Sequence, residues 1–120
     1  MGSARAGRKT VISIEIKNSE DFMMSLNNAL EEKGIKDGAI VSLIGAFDNC
    51  VISNMDKSDA LKDHLEVYDI PLEVSGCGYI QDGMPHIHVV ASSNNGETYA
   101  GHLHSAVISN WYVKLFIVEQ

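Results

Sequence analysis

Only one stretch of this 120-residue chain carries a helical apolar repeat. Phe22, Leu26 and Leu30 recur every fourth residue, with Met23 and Ala29 beside them and Gly34 following as a stop. Asn18 and Ser19 offer N-cap side chains, and Glu20 and Asp21 suit a first turn, so the spacing predicts a helix over residues 19–33. The other apolar segments are β-branched or alternate with a period of two. Residues 10–16 read as a strand, and residues 39–47 as a strand apolar enough to be buried on both faces. Residues 50–53 continue or pair with it, while 54–61 read as a polar, mobile connection. Strands follow at 65–70 and 72–80, divided by Pro71, and then at 85–92, 97–104 and 111–118. Asp82-Gly83 marks a turn. One helix among many strands predicts an α+β protein. The expectation is a single compact domain over residues 10–120, with one main helix packed on a mixed, mostly antiparallel sheet. Residues 1–9, which begin Met-Gly-Ser, are expected to be a disordered or tag-derived tail.

Composition narrows the function classes. Hydrophobic residues make up 45% and charged residues 21%, which excludes intrinsic disorder. Two cysteines, Cys50 and Cys77, cannot make a disulfide scaffold, and Cys77 reads as a small buried strand residue. No apolar run reaches the roughly 18 residues of a membrane span, and the N-terminus lacks an apolar signal stretch. A cytoplasmic protein without a membrane partner is expected. Net charge is −7, and the cations Arg5, Arg8 and Lys9 all fall in the first ten residues. Beyond them six basic residues stand against sixteen acidic ones, a balance of −10 that repels a phosphate backbone.

Four of the five histidines form two short pairs, His86-Ile87-His88 and His102-Leu103-His104. Residues two apart on a strand share a face, so each pair projects two imidazoles together. Asn95-Gly96 between them signals a hairpin. A two-residue loop would put the pairs on opposite faces. An odd loop or one bulge sets His88 opposite His102 and His86 opposite His104, and it also segregates Ile87 and Val89 with Leu103. That register assembles an imidazole cluster suited to Zn²⁺ or a similar divalent metal. Three ligands would leave a position for water or substrate. His64, set among acids, reads as a surface histidine. Glu97 and Asp82 lie near the cluster in sequence and are candidates for a general base or for turn residues. Trp111 and Tyr112 read as core or subunit contacts.

The segment Gly83-Met84-Pro85-His86-Ile87-His88-Val89, with Asn95-Gly96 and Gly101-His102-Leu103, resembles the PPC (plants and prokaryotes conserved) domain family, also labelled an AT-hook-associated DNA-binding domain. The resemblance runs from about residue 11 to 118, and it is of the prokaryotic stand-alone type. It implies one helix against a mostly antiparallel sheet, a homotrimer, and a metal site on His86, His88 and His102. His104 falls outside the family motif and is a candidate fourth ligand on register grounds alone. Plant relatives carry a separate Arg-Gly-Arg-Pro minor-groove reader. Here the tail holds Ala6-Gly7-Arg8-Lys9, without the proline or the preceding arginine.

The first expectation is therefore a homotrimeric metal-binding protein acting on or sensing a small molecule through its histidines. The alternative is a DNA-associated regulatory protein, disfavoured by charge. A trimeric protein-interaction module is the third reading. Neither substrate-reading residues nor a general base can be singled out, so enzyme and sensor stand level.

Overall fold

A computed structural model describes residues 10–120; the tail expected at residues 1–9 lies outside the described residues. The order is β1 (Val11–Ser19), α1 (Phe22–Lys33), β2 (Gly38–Phe47), β3 (Asn49–Asp56), β4 (Asp59–Tyr68), β5 (Leu72–Gln81), β6 (Met84–Ser92) and β7 (Thr98–Glu119). Strands take up 70% of the structure and helix 11%. The expected α+β class is thus overturned: this is a mostly β, barrel-like sheet with one short helix. Nor is the sheet mixed, because every strand pairing is antiparallel.

Closure depends on β7. Its first half pairs with β6 and β3, and its second half with β1 and β2. Since β2 also pairs with β5, and β5 with β6, the path β2–β5–β6–β7 returns to β2 as a ring. The 22-residue strand bends twice to do this. At the first bend Val51 faces Ser105 while Ile52 faces Leu103, so His104 is the extra residue of a bulge. At the second, Asp48 accepts hydrogen bonds from the backbone amides of Ser109 and Asn110 and from Asn110 Nδ2. The Ser109 amide above all holds the Asp48 carboxyl below the usual carboxylate range.

The core takes Ile40, Leu43, Phe47, Ile52, Val89, Leu103, Val113 and Leu115, all nearly inaccessible. The helix starts at Phe22 rather than residue 19, because Asp21 takes the N-cap and its Oδ1 accepts from the Met24 amide at 3.0 Å. Phe22, Leu26 and Leu30 form its buried stripe, against β1, β6 and β7. Gly34 at φ +69° closes it.

The segment read as a mobile connection at 54–61 is instead the end of the β3–β4 hairpin. Pattern reading finds only parts of its strands, 50–53 and 65–70, because β4 is exposed on both faces over nearly its whole length. His64 lies on this hairpin, with Nε2 2.6 Å from Asp56 Oδ1. That contact, reinforced by Ser58, draws the Asp56 carboxyl from 3.8 to about 2. Because the folded value lies below the unfolded one, the contribution to hairpin stability is complete above about pH 4 and lost as pH falls through about 2. Carboxyl NMR titration should give a midpoint near 2 for Asp56, moving back toward 3.8 in His64→Ala. An unchanged midpoint in that variant would refute the assignment.

Candidate metal centre

On β6, Ile87 and Val89 point into the barrel, so His86 and His88 must point out. A five-residue loop, 93–97, joins β6 to β7 and sets Ser92 against Thr98. Counting back from there, His88 stands opposite His102, the register that an odd loop demands. The row extends over four strands: Cys77 faces His88, His88 faces His102, and His102 faces Ser53.

One nitrogen from each of His86, His88 and His102 lies within 4.8 Å of the others. His86 Nε2 and His88 Nε2 approach to 3.3 Å. Metal–nitrogen bonds of about 2.0–2.1 Å at tetrahedral angles would separate two ligand nitrogens by about 3.3–3.4 Å, so this edge already fits a zinc-type ion. His102 Nδ1 is buried and has no hydrogen-bond partner. An orphaned buried nitrogen calls for an ion or water to satisfy it, and three imidazoles are a donor set for a borderline divalent cation. Burial, and then the neighbouring imidazoles of His86, His104 and His88, push His102 below its ordinary 6.5. The neutral form, which can ligate, is thereby favoured.

His104 does not join the three. As the bulge residue it leaves the β6 register, and its Nε2 instead meets Ser53 Oγ at 2.8 Å. Its ring still stands edge-on to His102, with centroids 4.8 Å apart. Tyr79 stacks on the other flank of His86, at 5.0 Å and 9°. Cys77 is exposed, contrary to the expectation of burial, because it shares the outer face with His88.

The cleft above the three histidines measures about 350 Å³ and is completed by Ser53, Asn54, Met55, Asp63 and Gly101. Gly101 is required: a Cβ there would lie 2.5 Å from the Ser53 carbonyl oxygen and under 3 Å from the Asn54 amide. Asn54 Nδ2 donates to the Ala100 carbonyl at 2.8 Å, fastening β3 over β7. Nothing in the sequence marked Asn54, Met55 or Asp63, since they reach the site only through the β3–β7 and β3–β4 pairings. Glu97 and Asp82 do not line the cleft. Glu97 accepts from Tyr99 Oη at 2.6 Å, and Asp82 sits in the β5–β6 turn. A larger hollow of about 520 Å³ lies by the end of α1, where among the described residues no comparable cluster of ligating side chains converges.

Solved structures share this fold. A plant- and prokaryote-conserved (PPC) protein of Pyrococcus horikoshii superposes with a TM-score of 0.79 at 20% identity, over 99% of this chain and 84% of its own. The metal-containing protein of Archaeoglobus fulgidus gives 0.73 at 29% identity, over 99% and 86%. A "putative dna binding protein" of Bacteroides thetaiotaomicron gives 0.71 at 23% identity, over 97% and 80%. Comparison with curated protein sequences gives no match. The family model of the Plants and Prokaryotes Conserved domain matches residues 3–120, nearly the whole chain, and with the outward-facing histidines on its closed antiparallel barrel this protein belongs to that family.

Proposed function

We propose that this chain is a homotrimeric metal-binding protein that acts on or senses a small molecule in the histidine cleft. The observation that carries the reading is the meeting of three imidazole nitrogens, one of them on a ring with an orphaned buried atom. His86, His88 and His102 would hold a zinc-like divalent ion, with His104 kept apart by Ser53. A bound ion would supply Lewis acidity and an open coordination position. The name of the Archaeoglobus relative, a metal-containing protein, supports the same reading. Two free cysteines fit a reducing, cytoplasmic setting. No helix among the described residues is long and apolar enough to cross a membrane.

Two exposed apolar areas support self-assembly. The β3–β4 hairpin exposes Met55, Leu61, Leu65 and Val67, with Leu61 96% accessible. A second area carries Ile44, Val90, Trp111 and Tyr112. A cyclic trimer needs two different complementary patches on each subunit, and these two would serve as that pair. Sedimentation should return three times the 13.1 kDa chain mass, and a dilute monomer would refute the trimer. Protein purified without chelator and offered zinc, nickel, manganese and iron should retain about one ion per chain. Retention of none would end the metal reading.

The second reading, a DNA-associated regulator, draws on the name of the Bacteroides relative. A body at −10 leaves only the tail cations to meet phosphate. Anisotropy with duplex DNA should show weak binding that disappears near physiological salt and on deletion of residues 1–9. Tight binding that survives both would place this reading first.

A further inference from the structure

The wall of the cleft opposite the histidines is built to accept hydrogen bonds. Among the described residues Asp63 is the one carboxylate in the lining, and none of the lining residues is a lysine or arginine. Asp63 lies outside the group of atoms that could share an ion with the three imidazoles, so it stands off the ion position as an unspent negative charge. Asn54 points the same way chemically. Its Nδ2 is tied to Ala100, which leaves its carbonyl oxygen as an acceptor at the cleft wall. The Ser53 hydroxyl is taken by His104.

A ligand entering this space meets an ion on one side and acceptors on the other. We propose that Asp63 makes the cleft selective for a small neutral or cationic molecule bearing hydroxyl or amine donors, and against carboxylates and phosphates. This rests on the metal reading above. An anion would be drawn to the ion but would have to lie beside an unneutralised carboxylate, with no arginine or lysine to compensate. An alcohol or amine can place its lone pair toward the ion and its hydrogens toward Asp63 and Asn54.

Cobalt(II)-loaded protein tests the idea, because its visible spectrum changes when a ligand enters the coordination sphere. Acetate and ethanolamine would be titrated into the wild type, Asp63→Asn and Asp63→Lys. Asp63 is exposed on the hairpin, beside the apolar residues assigned above to self-assembly, so both changes should leave the barrel intact, as circular dichroism would confirm, with sedimentation checking that the trimer persists. Acetate should bind Asp63→Asn about tenfold more tightly than the wild type, and Asp63→Lys more tightly again. Ethanolamine should weaken in both. Equal acetate affinities in the three cobalt-loaded proteins would overturn the role of Asp63 and leave the metal reading standing. Failure of the wild type to take up cobalt, zinc, nickel, manganese or iron would overturn both.

Discussion

Replacing His102 by alanine is expected to strip the protein of its metal, with zinc affinity falling by more than about a hundredfold. A partner hydrogen-bonded behind a ligand is already worth about ten- to a hundredfold, and a ligand itself must be worth more. His88→Ala should match it, because His88 stands directly opposite His102 and supplies one edge of the three-nitrogen group. His104→Ala should stay within a few fold of the wild type, since its Nε2 is engaged with Ser53. All three side chains lie on the outer face of the sheet, away from Ile87, Val89 and Leu103, so the metal-free variants should unfold near the temperature of wild type stripped of its metal. Elemental analysis after dialysis, paired with thermal melts, checks this. One zinc per chain surviving in both His88→Ala and His102→Ala would place the metal elsewhere.

The largest expected loss of stability comes from a single methyl group at the barrel seam. Gly45 lies where β2 crosses the second bend of β7, opposite Val113 and Val74 at once. A Cβ added there would sit 2.0 Å from the Tyr112 carbonyl oxygen and 2.7 Å from Val113 Cα. Both are backbone atoms of a strand paired on two sides, so neither can rotate away as a side chain would. Gly45→Ala should therefore cost about 3 kcal/mol or more, at or beyond the top of the usual range for overpacking. Urea unfolding would show the midpoint falling with little change in slope. A loss below about 1 kcal/mol would mean that the seam relaxes.

The two bends of β7 also account for what pattern reading misses. Leu103 is buried at an odd position, Ala106 and Ile108 at even ones, and Val113, Leu115 and Ile117 at odd ones again. A strict period of two therefore breaks twice, first at the His104 bulge and then across the exposed residues 109–112. Strand propensity alone suggests two strands, 97–104 and 111–118, where there is one of 22 residues. Without that continuous strand no ring can close, and the same residues read as an open sheet with a helix laid on it. The outer part of the β3–β4 hairpin, residues 54–61, escapes pattern reading for a different reason. Beyond Ser53 it projects with β4 exposed on both faces, so backbone pairing rather than burial holds Asn54 to His64 and Met55 to Asp63.

The histidine pairs were legible for the opposite reason. His86, His88 and His102 alternate with Ile87, Val89 and Leu103, which must go inside, and burial of one set aims the other at solvent together. The helix was equally plain, because Phe22, Leu26 and Leu30 repeat at its own period. These are local rules, carried by neighbours in the chain. Whether His104 joins the cluster, and that Asp63 and Asn54 wall it, depend on contacts between residues tens of positions apart. His104 turns to Ser53 because a bulge shifts the β3–β7 ladder by one residue, and Asp63 arrives because β4 folds back on β3. Such registers follow from how strands share one closed backbone network, a sum over the whole barrel that no short window of sequence contains.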